Sequence, residues 1–212
     1  MKQLHKLVRG VFIAILSLVS VFGGFTGVVP VEEAQAQASR CSGSGTTWNC
    51  AAGATVSQVQ TAINTASDGA TITFASGNYN WSGNISLNNI DGVTMICASA
   101  GMCNVSFSGD LISRDYVPNT LSQLMRISGF NFTGNPGTAV IWMYGSNNIE
   151  QMRIDHNKFT IGPSMIAILF GEISSSGKVF GVIDHNNCTA TNNFMCLKNI
   201  SGGSLSSSWL TN

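Results

Sequence analysis

Apolar and polar residues alternate in a phrase that recurs along the second half of the chain. It reads Met125-Arg-Ile-Ser-Gly-Phe-Asn-Phe132, then Met152-Arg-Ile-Asp-His-Asn-Lys-Phe159, then Gly181-Val-Ile-Asp-His-Asn-Asn-Cys188. Met152 in, Arg153 out, Ile154 in and Asp155 out is the period of a half-buried strand. The anchoring isoleucines Ile127, Ile154 and Ile183 lie 27 and 29 residues apart, a spacing that marks stacked repeats. A second apolar run follows each of the first two phrases, Ala139 to Met143 and Met165 to Phe170, so each repeat carries at least two strands. Like strands then pair with those of the coils above and below. The prediction is an all-β solenoid, a parallel β-helix in which no coil has a core of its own. Alignment stacks Ile127, Ile154 and Ile183 in one inward column and Phe132, Phe159 and Cys188 in another. Asn157 and Asn186 stack at the turn, where amides can pass hydrogen bonds from coil to coil. His156 and His185 stack as well, on the inward parity or on the turn itself.

The first half supplies the beginning of the stack. Val56, Val59, Ile63 and Ala66 fall at helical spacing behind Thr55 or Ser57 as N-cap, predicting a short amphipathic helix. A solenoid's first coil exposes its apolar end, and this helix is the element to cover it. Asp68-Gly69 turns into the alternating strand Ala70 to Phe74, and Ser76 to Tyr79 makes the next turn. Val93 to Ala98 and Val105 to Phe107 provide another coil. The polar stretch Asp110 to Thr120, with Pro118, reads as a loop leaving the solenoid. At the far end, 201–212 is Ser-rich and offers no cap, which reads as a tail or as the truncation of a longer solenoid.

The two Ile-Asp-His-Asn copies, the Asn-rich turns and the helix, Asp-Gly, strand, Gly-x-Tyr order together resemble the pectin-lyase-like superfamily of right-handed β-helices. The likeness runs from about Thr55 to Ile200. It implies a right-handed parallel β-helix and a secreted lyase or glycoside hydrolase acting on acidic or other plant or microbial polysaccharide. Ile154-Asp155-His156 is also similar to the Trp-Ile-Asp-His phrase of pectate lyases, with Arg153 and Val182 where that phrase has tryptophan. The Asn-Thr-Asp, Asp-Asp and Gly-His-Gly motifs of polygalacturonases have no counterpart.

Residues 1–38 read as a secretory signal. Lys2, Lys6 and Arg9 precede the apolar run Val11 to Phe22, and Ala34-Gln-Ala36 or Ala36-Gln-Ala38 offers cleavage sites. This directs the protein to secretion or the cell surface, with no membrane association once cleaved. The 39–54 stretch reads as a linker with a disulfide loop, and 55–200 as the β-helix, acting as a monomer. The mature part keeps seven of the ten Lys and Arg and eight of the ten Asp and Glu, so no basic field attracts nucleic acid. All six cysteines follow the leader. An even count in an exported chain favours disulfides, the simplest connectivity being Cys41 with Cys50, Cys97 with Cys103 and Cys188 with Cys196.

Candidate chemistry lies on outward positions. Arg126, Arg153 and Val182 form one column, and Ser128, Asp155 and Asp184 the next. With rungs about 4.8 Å apart, Asp155 and Asp184 suit a retaining glycosidase pair, or a shared Ca²⁺, the one cofactor considered. For uronate elimination, Arg126 and Arg153 are the clamp on the substrate carboxylate and Lys158 the base. The alternative use of these side chains is a solvated ion-pair patch. Trp142 and Tyr144 alternate with Ile141 and Met143, so they point outward as a surface for sugar rings. A non-catalytic glycan-binding or structural solenoid is the competing functional class. Ice binding is disfavoured because no face carries a regular threonine array. Asn84, Asn104, Asn131, Asn187 and Asn199 open Asn-x-Ser/Thr sequons, read as chance in so Asn- and Ser-rich a chain.

Overall fold

The computed structural model describes residues 39–114, 123–144, 149–163, 165–171, 179–190, 195–199 and 210–211. The expected leader at 1–38, residues 115–120 of the expected loop and Trp209 lie outside the described residues. Among the described residues five successive coils carry three strands each, one more than the repeat requires. They stack into sheets of eight, five and five strands among the described residues. The first sheet runs from Cys41–Ser44 and Thr47–Cys50 through Met125–Ser128 and Ile149–Asp155 to Leu210–Thr211. Among the described residues every pairing is parallel except at the outermost hairpin. Among the described residues the fold is a parallel β-solenoid with one short helix, near the N-terminal end of the stack.

Register follows the hydrophobic columns. Ile127, Ile154 and Ile183 are direct partners across neighbouring strands, and Ile72 and Met95 continue the column toward the N-terminus. In the second sheet Phe132 stands between Val105 and Phe159, followed by Cys188. Ile85, Ile112, Ile141 and Ile168 do the same in the third. Phe132 and Phe159 stack with ring centroids 5.3 Å apart, beneath a cluster of Phe74, Tyr79, Trp81 and Phe130. Trp81 is fully buried and donates through Nε1 to the Ala54 carbonyl at 2.9 Å. Each such buried side chain contributes roughly 1.5–3 kcal/mol, available only when a neighbouring coil supplies the opposing surface.

The predicted helix spans Val56–Thr65 and buries Val59, Ala62 and Ile63. Thr55 is its N-cap in a capping box with Gln58. Gln60 closes the third sheet in a second way. Its amide accepts from the Ser86 N–H at 2.7 Å and donates to the Ser86 carbonyl at 3.0 Å, satisfying a strand edge as another strand would.

Three segments differ from expectation. The stretch read as a linker is an antiparallel hairpin, Cys41–Ser44 with Thr47–Cys50, whose second strand joins the first sheet. Four-residue strands rich in Gly, Ser and Asn carry little alternation, which hid them. The turn expected at Ser76 to Tyr79 is instead the start of strand Gly77–Ser82. Ile112–Arg114, expected in a loop, is a strand of the third sheet. There Arg114 is buried, with Nη1 donating to the Leu87 and Ile90 carbonyls, both at 3.0 Å.

The disulfides are Cys41–Cys50, Cys97–Cys103 and Cys188–Cys196, as the spacing suggested. The first crosses the hairpin. The second joins a first-sheet strand to the following second-sheet strand, and the third joins second to third, so both clamp a bend within one coil. Each closes a loop short enough to stabilise by about 2.5 kcal/mol.

At the bend between first and second sheets the stacked asparagines work as expected. Asn157 donates to the Ile127 carbonyl at 3.0 Å and accepts from the Phe130 N–H at 3.1 Å. Asn186 repeats this one coil on, donating to the Ile154 carbonyl and accepting from the Asn157 N–H. Asn157→Ala leaves a buried donor and a buried acceptor without partners, so urea unfolding is expected to report a loss of about 3 kcal/mol. A loss below about 1 kcal/mol contradicts the ladder.

Candidate functional site

The residue before each ladder asparagine has left-handed backbone. Gly129, His156 and His185 hold equivalent places in three successive coils, with φ of 84°, 57° and 52°. Glycine is free there. A histidine is strained by about 1 kcal/mol, so its presence twice calls for a compensating contact. Each finds it in the preceding aspartate: His156 Nδ1 lies 2.8 Å from Asp155 Oδ2, and His185 Nδ1 lies 2.9 Å from Asp184 Oδ2. The imidazoles stack with centroids 4.8 Å apart and planes within 1°. Their side chains are 46% and 62% exposed, open to a ligand.

The aspartates do not stand free on the surface, as strand alternation suggested. Asp155 is fully buried and Asp184 nearly so. Both keep the outward parity, but the long side chains of the adjacent column fold over them. Arg126 holds Asp155 with two bonds, Nε to Oδ1 at 2.8 Å and Nη2 to Oδ2 at 2.5 Å. Arg153 bridges the two rungs, with Nε 3.5 Å from Asp155 Oδ1 and Nη2 3.0 Å from Asp184 Oδ2. The result is a ladder of alternating charge along the solenoid axis. Its carboxylates lie beneath, and its guanidinium and imidazole groups form the accessible layer.

Burial alone would raise the Asp155 pKa. The hydrogen bonds from Arg126 and His156 and the charges of Arg126 and Arg153 outweigh it, holding the carboxyl below its usual range. The same hydrogen bond to Asp155 raises the pKa of Arg126, against its partial desolvation. An ionised carboxylate can only accept, so Nδ1 of His156 carries a proton, and in the neutral imidazole the lone pair is on Nε2, on the side of the ring away from Asp155.

A shared Ca²⁺ does not fit this arrangement. Such an ion takes six to eight oxygens, whereas two guanidinium groups already occupy the cationic positions against these carboxylates. Among the described residues no three His, Cys, Asp or Glu side chains gather as a metal site would require. The other expected residues lie elsewhere. Lys158 heads the next strand, in the second sheet, in a column with Asn131 and Asn187. Trp142 is in the third sheet, half-buried between buried Ile141 and Met143, as the alternation predicts. Tyr144 ends that strand opposite Gly171, and its side chain lies outside the described residues. Arg126, Arg153, Asp155 and Asp184 therefore come together, while Lys158, Trp142 and Tyr144 belong to other faces. Sequence reasoning gave His156 and His185 a stacking and hydrogen-bonding role ahead of a catalytic one. The glycine at the matching turn, Gly129, was the available sign that they occupy a left-handed position.

Comparison of the chain with protein-family models, with curated proteins and with solved structures gave no match.

The folded-state pKa of Asp155 lies below its unfolded value, so its ion pairs stabilise fully above the ordinary carboxylate range. That stability is lost as pH falls through the depressed folded value. At neutral pH, Asp155→Asn is expected to lower the unfolding free energy by about 2–3 kcal/mol, less than for a fully enclosed pair because the guanidiniums meet solvent. The difference from wild type shrinks once the medium is acid enough to protonate Asp155. Equal stability of the two proteins at pH 7 is the contrary result.

Proposed function

We propose that the protein is an extracellular polysaccharide lyase of the pectin-lyase-like type, acting on an acidic polysaccharide by elimination at the Arg/Asp/His ladder. The observation that carries this reading is the pair of aspartate-backed imidazoles beside two half-exposed guanidinium groups. Elimination from a uronate needs a cation on the substrate carboxylate, which acidifies the neighbouring carbon-bound proton, and a base to remove that proton. Arg126 and Arg153 keep donors for a ligand beyond those given to Asp155 and Asp184, since each guanidinium has five N–H groups. In its neutral form His156 offers Nε2, on the side of the ring away from Asp155, and replaces Lys158 as the base. It takes the proton next to the carboxylate; that bond's electrons form the ring double bond, and the glycosidic oxygen leaves and is protonated by water. Hydrolysis by the two carboxyls is the weaker reading, because Asp155 is held ionised, which rules it out as the acid, and is buried beneath Arg126, which keeps it from attacking as the nucleophile.

The similarity of Ile154-Asp155-His156-Asn157 to the superfamily phrase supports the same reading. So do the leader and the three disulfides, which suit an oxidising compartment. A second reading, glycan binding without cleavage by a monomeric solenoid, is favoured by the ion pairing of both aspartates with arginine, Asp155 through both oxygens and Asp184 through Oδ2.

Incubation with polygalacturonate or alginate, followed by absorbance of unsaturated uronate, separates these readings. Wild type is expected to generate the chromophore. His156→Gly is expected to lose at least ~100-fold of that rate. Its stability should change by less than about 1 kcal/mol, because glycine relieves the left-handed turn. Reducing ends without the chromophore point to hydrolysis, and binding without either product points to the second reading.

A further inference from the structure

The outward face of the second sheet carries no part of the charged ladder, yet its polar side chains repeat in register from rung to rung. Asn78, Asn104 and Asn131 are direct partners in three successive strands, and Lys158 and Asn187 continue their column. Two residues along each strand lies a second column, in which Ser106, Thr133, Thr160 and Thr189 follow Asn80. Apart from half-buried Asn131 these side chains are exposed. The threonine array judged missing from the sequence is therefore present, three rungs long. The sequons at Asn104, Asn131 and Asn187 also gain an explanation. In a strand, Asn-x-Ser/Thr puts amide and hydroxyl on one face, two residues apart.

The amides are held in place before any ligand arrives. Asn104 Nδ2 donates to Asn78 Oδ1 at 3.2 Å, and Asn131 Nδ2 donates to Asn104 Oδ1 at 3.0 Å and to the Gly101 carbonyl at 2.6 Å. Fixing donors and acceptors in advance removes an ordering cost from binding. Lys158 is the one charged side chain in these two columns, so the face complements an uncharged, hydroxyl-rich partner and has little hold on a polyanion. Its repeat is about 4.8 Å along the solenoid axis and about 6.6 Å along the strand. The first is close to the advance of one sugar along an extended chain, and the second approaches the width of a sugar ring.

We propose that this face binds an extended, uncharged polysaccharide laid along the solenoid axis, one sugar over each rung. The amide column and the hydroxyl column engage hydroxyls on the two edges of each ring. Individual contacts are weak, and repetition over successive rungs makes them count, so affinity grows with the length of the sugar chain. Ice is the rival occupant of a regular hydroxyl lattice, but bulky amides and a lysine in one of the two columns favour sugar.

Affinity electrophoresis in gels containing hydroxyethyl cellulose or galactomannan tests this, with protein made in a host that does not N-glycosylate. Retardation by at least one of the two gels is expected. The double substitution Thr133→Val and Thr160→Val keeps the β-branched shape on a solvated strand while removing two hydroxyls, and should weaken binding about tenfold. His156→Gly should be retarded like wild type, which separates this surface from the ladder whatever the outcome of the lyase assay. No retardation of wild type in either gel, or equal retardation of the double variant, overturns the proposal. Inhibition of ice recrystallisation without retardation assigns the lattice to ice and overturns it equally.

Discussion

No coil of this protein can fold on its own, and that constraint governs the rest. Each rung offers a ring of inward side chains that remains half wet until another rung is laid against it, so the chain must place like residues above one another. Ile72, Met95, Ile127, Ile154 and Ile183 satisfy this in the first sheet, and the phenylalanines in the second. The ends are where the constraint bites. The N-terminal end is closed by a capped helix, by Gln60 acting as a substitute strand, and by a disulfide-stapled hairpin. At the other described end, Leu210–Thr211 pairs with Val179–Asp184 and carries the first sheet one strand further.

The same constraint builds surfaces. Stacking that aligns isoleucines inside must align whatever lies one position away outside, and the rung spacing brings side chains of one column within direct contact. Opposite charges in neighbouring columns then form a ladder, as Arg126, Asp155, Arg153 and Asp184 do, and amides or hydroxyls form a lattice. Both the candidate centre at the bend and the polar face of the second sheet are by-products of register, differing only in which residues occupy the aligned places. Breaking register in the core would dissolve both together.

The fold was legible because apolar period survives any choice of surface residue: the isoleucine and phenylalanine columns needed only the spacing of the three phrases. The ladder asparagines were legible for a related reason, since Asn157 and Asn186 recur at a turn. Alternation fails at that turn. His156 and His185 are left-handed, so the inward or outward count stops at Asp155. The burial of Asp155 comes from neighbouring arginines folding over it rather than from its own direction, and a strand pattern cannot carry that information. The hairpin at Cys41 to Cys50 escaped because its strands are too short to show a period. The lattice escaped because its columns mix Asn with Lys and Ser with Thr, and become visible only when the coils are superposed.

Register is best tested by distance between two outward sites. Thr133→Cys with Thr160→Cys puts two thiols on directly paired residues of adjacent rungs, about 4.8 Å apart at Cα, while the six native cysteines are closed in disulfides. Labelled with pyrene, this double variant should give strong excimer emission that persists on dilution, and each single variant should give monomer emission. Monomer emission from the double variant would mean that those rungs are not stacked in this register, and the account of the core, the ladder and the lattice would fall with it.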